Sequence, residues 1–174
     1  MSDKIDLRLQ LKKVREDFSG GRRESADAAI SDIFLKAYGG LQSYFIYNSF
    51  SSEADTKHII NSLLSSGKRV YIPRVEGENI VAVPFGNMSR GAFGIEEPEG
   101  QAYFGDTDIT VIPLFGINSR LFRIGYGKGF YDRYLRDRHT VKVGLGYSFQ
   151  RAEFKEDEWD IPLDAFICEK GIFK

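Results

Sequence analysis

The chain is poor in the residues that build metal clusters or disulfide frameworks. It has one cysteine and two histidines among 174 residues, so neither a Cys/His zinc cluster nor an internal disulfide is available to it. A lone Cys168 suits a reducing compartment. Net charge is missing too. Twenty-four basic residues stand against 25 acidic ones, leaving -1, whereas proteins that coat nucleic acid usually show a strongly basic balance. Long apolar runs are absent. The longest, near Ile109–Ile117, is interrupted by Thr110, Pro113 and Gly116, and a spanning helix needs roughly 20 apolar residues. The N-terminus, Met1-Ser2-Asp3-Lys4-Ile5-Asp6, mixes charges where a signal peptide carries an apolar core. What is present is ordinary globular composition, with 42% hydrophobic and 28% charged residues, which argues against wholesale disorder. The expectation is one cytoplasmic, soluble domain over 1–174, a monomer with no membrane and no nucleic-acid partner.

Periodicity sets a coarse order of elements. Lys4 to Phe18 reads as a helix with Ile5, Leu9 and Leu11 on one broad face. Gly20-Gly21 breaks it, and Ser25 to Tyr38 reads as a second helix ended by Gly39-Gly40. Ser43 to Tyr47 is a strand. Ser52 and Asp55, three residues apart, suggest a capping box for a helix carrying Ile59, Ile60, Leu63 and Leu64. Arg69 to Ile72 is the next strand, closed by Pro73. This strand–helix–strand unit predicts a parallel crossover. Asn79 to Val83 is a further strand, Gly94 to Gly100 an acidic loop, and Asp108 to Pro113 a buried central strand. A helix over Phe130 to Arg138 precedes strands at Val141 to Leu145 and Ala165 to Cys168. The acidic stretch Glu153 to Asp160 is read as a solvated face with Trp159 tucked beneath it. The fold class is α/β: a mostly parallel central sheet with helices on both faces, a three-layer Rossmann-like single domain.

The chemistry concentrates in Arg123-Ile124-Gly125-Tyr126-Gly127-Lys128-Gly129-Phe130-Tyr131-Asp132-Arg133. Three glycines at alternate positions let a backbone pass close to a ligand and adopt positive φ. A helix beginning directly after them aims free N–H groups at the loop, and those groups favour anions, phosphate above all. Lys128 adds a point charge. From Arg120 to Arg138 six basic residues stand against two acidic ones, a local excess of four in a near-neutral protein. Two familiar loops do not fit. A P-loop needs Ser or Thr after its Lys, where this chain has Gly129, and a dinucleotide fingerprint needs Gly where it has Phe130. The residues alone therefore indicate a phosphate-binding loop or a flexible glycine loop with solvated charges.

At this point the chain resembles the 5-formyltetrahydrofolate cyclo-ligases, also called methenyltetrahydrofolate synthetases. Arg123 to Leu135, R-I-G-Y-G-K-G-F-Y-D-R-Y-L, matches the family's strongest motif throughout. The resemblance covers nearly the whole chain. Lys4 to Arg8, Tyr47 to Thr56, Val70 to Arg74, Gly94 to Pro98, Asp108 to Pro113 and Ile161 to Asp164 resemble its other motifs in the right order. Phe130 stands where Tyr is commoner, and Ile117 to Phe122 lacks the usual turn before the Arg.

The resemblance implies conversion of 5-formyltetrahydrofolate to 5,10-methenyltetrahydrofolate with ATP as co-substrate and Mg2+ as cofactor, releasing ADP and phosphate. It makes Lys4 and Arg8 triphosphate ligands on one helix face. Arg123, Gly125, Gly127, Lys128, Gly129 and Tyr131 would form the ATP loop, with Lys128 and Arg123 catalytic. Asn48, Glu53, Phe93, Tyr126, Gly127, Lys128, Gly129 and Phe130 would meet the folate, and Asp132 and Asp164 would bind magnesium. His58, His139 and Cys168 receive no role. Two rival readings remain at this level: another phosphate-binding α/β enzyme, such as a sugar-phosphate isomerase or small kinase, and a non-enzymatic nucleotide- or RNA-binding module.

Overall fold

A single left-handed residue sets the first turn of the molecule. Gly20, at φ +65°, separates α1 (Lys4–Asp17) from α2 (Gly20–Tyr38). The second helix begins here rather than at Ser25, because Gly20 can take the left-handed conformation that turns the chain directly into the helix after Ser19. The computed structural model describes residues 4–91 and 94–174. After α2 come β1 (Ser43–Ile46), α3 (Lys57–Ser65), β2 (Arg69–Glu76), β3 (Asn79–Pro84), β4 (Met88–Arg90), β5 (Glu96–Pro98) and β6 (Ile109–Pro113). Then follow β7 (Gly116–Ile117), β8 (Arg123–Ile124), α4 (Phe130–Leu135), β9 (Val141–Leu145), β10 (Ala165–Cys168) and β11 (Gly171–Phe173).

Seven strands form one sheet in the order β11-β10-β9-β6-β1-β2-β3. The inner five run parallel, and β3 and β11 close the edges antiparallel. Tyr44 of β1 sits between Val70 of β2 and Ile109 of β6. Side chains alternate across the sheet. Tyr44, Ile46, Val70, Ile72, Val111, Val143 and Ile167 face α2 and α3, where Ile30, Phe34, Ile59, Ile60 and Leu63 cover them. Ile112 and Phe166 face the other way, against Leu114, Leu163 and Leu135 of α4. The expected three layers are there, but unequal, with two full helices on one face and one short helix on the other. α1 lies across the end, packing Leu7 and Leu11 on Phe115, Ile124 and Phe154.

Several local expectations shift for identifiable reasons. Pro73 does not close β2, which runs to Glu76. β2 is paired to β1 only as far as Tyr71, so Pro73 lies where the strand has a neighbour on one side, and a missing N–H is tolerated there. The capping box is not formed. Thr56 is the N-cap residue of α3, and Ser52 instead accepts a hydrogen bond from Arg15 (3.0 Å). The acidic loop contains β5, paired with β4. The helix after the glycine loop stops at Leu135 rather than Arg138. β11 went unread because three residues carry too little periodicity. Trp159 is not tucked away but 67% exposed.

Phe34 has no exposed surface and seals α2 onto the sheet. Phe34→Ala is expected to cost about 3–5 kcal/mol, measured by urea unfolding.

Candidate active site

The sheet order creates the site. From β1 the chain moves to β2 on one side, and β6 then starts the run outward on the other. The loops after β1 and β6 therefore part, and in open α/β sheets such a switch point leaves a crevice at the carboxyl ends of the strands. A cavity of about 820 Å³ opens there, bordered by Tyr47 and Asn48 after β1, Pro73 and Val75 on β2, and Pro113 ending β6. That is room for a large ligand.

The glycine loop forms one wall. β8 pairs antiparallel with β7 and delivers Arg123 to the cavity. Gly127 and Gly129 take φ +83° and +67°, a region other residues enter at a cost, and Gly129 caps the start of α4. Arg123 is buried. Its guanidinium donates to the Ile161 carbonyl (3.1 Å) and to Asp132 Oδ1 (3.0 Å). Asp132 Oδ1 also accepts the Ile161 N–H (3.3 Å), which ties the loop, α4 and the C-terminal segment into one unit. Lys128 is exposed, borders the cavity, and forms no ion pair among the described residues.

Helix α1 lies against this loop and lines the cavity beside it. Lys4, Arg8, Leu11 and Arg15 share a face at spacings of four, three and four. Arg8 Nε donates to the Gly125 carbonyl at 2.7 Å, and a side chain at Gly127 would sit 3.4 Å from the Arg8 guanidinium. Lys4 bonds Asp157 (2.7 Å) and Asp160. Burial acts to lower its pKa, but the two carboxylate bonds prevail and raise it.

Glu53 forms the floor and is 7% exposed. Oε1 accepts from the Tyr126 hydroxyl, and Oε2 from the Phe50 N–H at 2.8 Å. Burial raises its pKa above the usual carboxylate value, and the Tyr126 bond, the Phe50 bond and the Arg15 charge oppose that rise. Burial likewise raises the Tyr126 and Tyr131 phenols.

Lys4, Arg8, Asn48, Glu53, Arg123, Gly125, Tyr126, Gly127, Lys128, Gly129, Phe130, Tyr131 and Asp132 thus border one cavity. Phe93 lies outside the described residues. Asp164 does not join them. It is exposed at the start of β10, where its carboxylate pairs with Lys142 (2.9 Å) and accepts that residue's N–H (2.7 Å). It therefore sits at the amino end of the strands, whereas the cavity is at the carboxyl ends. Asp160, four residues earlier, borders the cavity instead. Sequence reasoning missed Asp157, Trp159 and Asp160, because an acidic run reads as a solvated face. It also missed Arg15, although seven residues from Arg8 is two helical turns on the same face.

The donor set suits a hard cation that keeps most ligands from elsewhere. Among the described residues no group of three or more His, Cys, Asp or Glu stands together as a metal cage. Asp132 and Asp160 both border the cavity; Asp132 Oδ2 has no hydrogen-bond partner among the described residues, while Asp160 Oδ2 accepts from Lys4 and from the Asp157 N–H. Magnesium is typically held by one or two carboxylates plus phosphates and water.

The model of the 5-formyltetrahydrofolate cyclo-ligase family matches residues 1–169. The chain belongs to that family. It is an enzyme of the cyclo-ligase class, ATP-dependent and carbon–nitrogen bond forming, which sets aside the non-enzymatic alternative. A Haemophilus influenzae protein named 5-formyltetrahydrofolate cyclo-ligase is 29% identical over 90% of this chain and 92% of its own length. A Mycoplasma genitalium protein of the same name is 49% identical over a shorter stretch, 36% of this chain and 39% of that protein. The solved structure of an Aquifex aeolicus 5,10-methenyltetrahydrofolate synthetase superposes with a TM-score of 0.88 at 28% identity, covering 98% of this chain and 92% of that one. The Mycoplasma pneumoniae synthetase gives 0.80 at 28% identity, covering 97% and 99%. Both cyclo-ligase structures share the mixed α/β architecture with its large, mostly parallel sheet.

Gly127, at φ +83°, is a position where backbone conformation disfavours any side chain. Gly127→Ala is expected to lower stability by about 1–2 kcal/mol, measured as a shift in the denaturation midpoint, with no change in the sheet's circular dichroism.

Proposed function

We propose that the protein converts 5-formyltetrahydrofolate and MgATP to 5,10-methenyltetrahydrofolate, ADP and phosphate. The observation that carries this reading is the meeting of three groups on one cavity: the α1 cations, the glycine loop, and the buried carboxylate of Glu53. Lys4, Arg8, Arg123 and Lys128 together with the loop amides suit a triphosphate. Asn48, Glu53, Tyr126 and Phe130 suit a folate that must reach the same loop.

The N5-formyl oxygen is an amide oxygen and a poor leaving group. Transfer of the γ-phosphoryl group to it breaks the β,γ-bridge bond, frees ADP and leaves an iminium phosphate. N10 then attacks the formyl carbon, the C–O bond breaks, phosphate departs and the N10 proton is lost. The protein's part is to align the two substrates and to meet charge where it develops. Lys128, exposed and without an ion pair among the described residues, is the mobile cation for the transferring group. Arg123, pinned by Asp132 and Ile161, fixes the loop that carries it. Gly125, Gly127 and Gly129 leave the loop backbone open to the phosphates, and Tyr131 packs beneath. Magnesium, held by Asp132 and Asp160 with phosphate oxygens, would neutralise polyphosphate charge. Asp164 has no part in this scheme. The lone buried Cys168 fits a cytoplasmic enzyme, and a single-domain monomer over 1–174 suffices to build the whole site.

The test follows the near-ultraviolet band of the methenyl product. Band growth is expected only with ATP, magnesium and 5-formyltetrahydrofolate all present. Lys128→Ala is expected to lower turnover at least about 10²–10³-fold with an unchanged melting curve, and near-native turnover in that variant contradicts the loop assignment. The pH dependence follows from Glu53. Its raised pKa places an acid limb in folate kcat/KM above the usual carboxylate value. Activity is present above that pKa and lost as pH falls through it, and Glu53→Gln is expected to remove the limb.

A further inference from the structure

Arg15 is the one cation on the inner face of α1 that is fully withdrawn from water, at 3% exposed. Burying a guanidinium is costly unless its donors are met. Nε donates to Ser52 Oγ (3.0 Å), Nη1 to the Leu114 carbonyl (3.0 Å) and Nη2 to the Tyr126 hydroxyl (3.3 Å). The guanidinium also lies 4.2 Å from the Phe115 ring centre. Among the described residues it forms no ion pair. Its counter-charge is one hydroxyl away, since the Tyr126 oxygen that accepts from Arg15 donates to Glu53 Oε1. A buried cation from α1 and a buried anion from the loop after β1 are thus joined by a phenol of the glycine loop. A helix that needed only to pack would do as well or better with an apolar side chain here, because replacing buried charge by well-packed hydrophobics is often neutral or stabilising.

We propose that Arg15 is a positioning residue for the cyclo-ligase reaction: through the Tyr126 hydroxyl it holds the Glu53 carboxylate charged and aimed at the folate. This rests on the reading above that Glu53 meets the folate. The groups that face Glu53 are the phenols of Tyr47, Tyr126 and Tyr131 and the Arg15 guanidinium, while Arg23 donates to its backbone carbonyl (2.9 Å). Arg15 is the cation that acts on the carboxylate. Burial raises the Glu53 pKa and Arg15 opposes it. Loss of Arg15 therefore lifts that pKa further, and the carboxylate protonates at a higher pH.

The experiment uses Arg15→Gln, Arg15→Lys and Tyr126→Phe in the full chain. It reads the Kd of 5-formyltetrahydrofolate by calorimetry without ATP, from about pH 5 to 8, beside KM for each substrate, kcat and the melting temperature. For Arg15→Gln, folate binding is expected about tenfold or more weaker, its acid limb displaced to higher pH, and KM for ATP within about twofold. Arg15→Lys restores the charge, so the limb returns toward its original place. Tyr126→Phe removes the relay hydroxyl, and because Tyr126 itself borders the cavity its readout is the acid limb, expected to move to higher pH as the Glu53 carboxylate loses that bond; this shift decides the matter if Arg15→Gln fails to fold. A folded Arg15→Gln or Tyr126→Phe protein with unchanged folate affinity and acid limb overturns the proposal. So does an equal loss of both substrates' affinity that tracks the melting temperature, which marks a merely structural role. Wild-type protein that binds no 5-formyltetrahydrofolate overturns the cavity reading itself, and that failure appears before any substitution is made.

Discussion

The hydrogen bond from Arg8 to the Gly125 carbonyl, 2.7 Å long, is the contact on which the site depends. A glycine-rich loop is free to take many shapes, and an anion site needs one. The loop gains its shape from outside, from a helix at the other end of the chain. The Arg8 guanidinium lies against Gly127, and the apolar contacts of Leu7 and Leu11 with Phe115, Ile124 and Phe154 hold α1 where Arg8 can reach. Arg123 completes the clamp from below by binding Asp132 and the Ile161 carbonyl. One face of α1 therefore does two tasks. Its apolar residues dock the helix, and its cations reach the cavity and the loop.

The sheet decides where that clamp can be built. β1 lies between β2 and β6, and the sheet extends from it through β2 on one side and through β6 on the other. At such a divergence the strand ends open a crevice. Asn48 and Glu53 come from the loop after β1, and the glycine loop comes from the β7–β8 pair beyond β6. The two segments meet because their parent strands are adjacent, although about 70 residues separate Glu53 from Tyr126 along the chain. The unequal helical layers serve the same end: α2 and α3 seal one face, while short α4 leaves the glycine loop reachable.

Much of this was legible in the residues. Parallel strands of the inner sheet announce themselves by β-branched and aromatic runs, and the motif from Arg123 to Leu135 marks both the loop and the family. Two kinds of feature stayed hidden. Local ones, such as β2 running through Pro73, depend on which side of a strand is paired, and pairing is not a local property. Long-range ones depend on charges that meet across the fold. The resemblance points to Asp164 for the metal and the acidic run hides Asp160, yet the two lie at opposite ends of the sheet, and of the two only Asp160 faces the cavity. Arg15 looks like another solvated basic residue of α1 until Ser52, Leu114 and Tyr126 are seen to surround it.

In the proposed reaction ATP and folate meet in one cavity and the formyl oxygen leaves as part of the phosphate. Isotopic labelling tests this most directly. 5-Formyltetrahydrofolate carrying oxygen-18 in its formyl group is incubated with MgATP and the protein, and the released phosphate is analysed by mass. One oxygen-18 is expected in each phosphate released with methenyl product. Unlabelled phosphate formed with the same product would mean that ATP is hydrolysed by water, and would contradict transfer to the formyl oxygen.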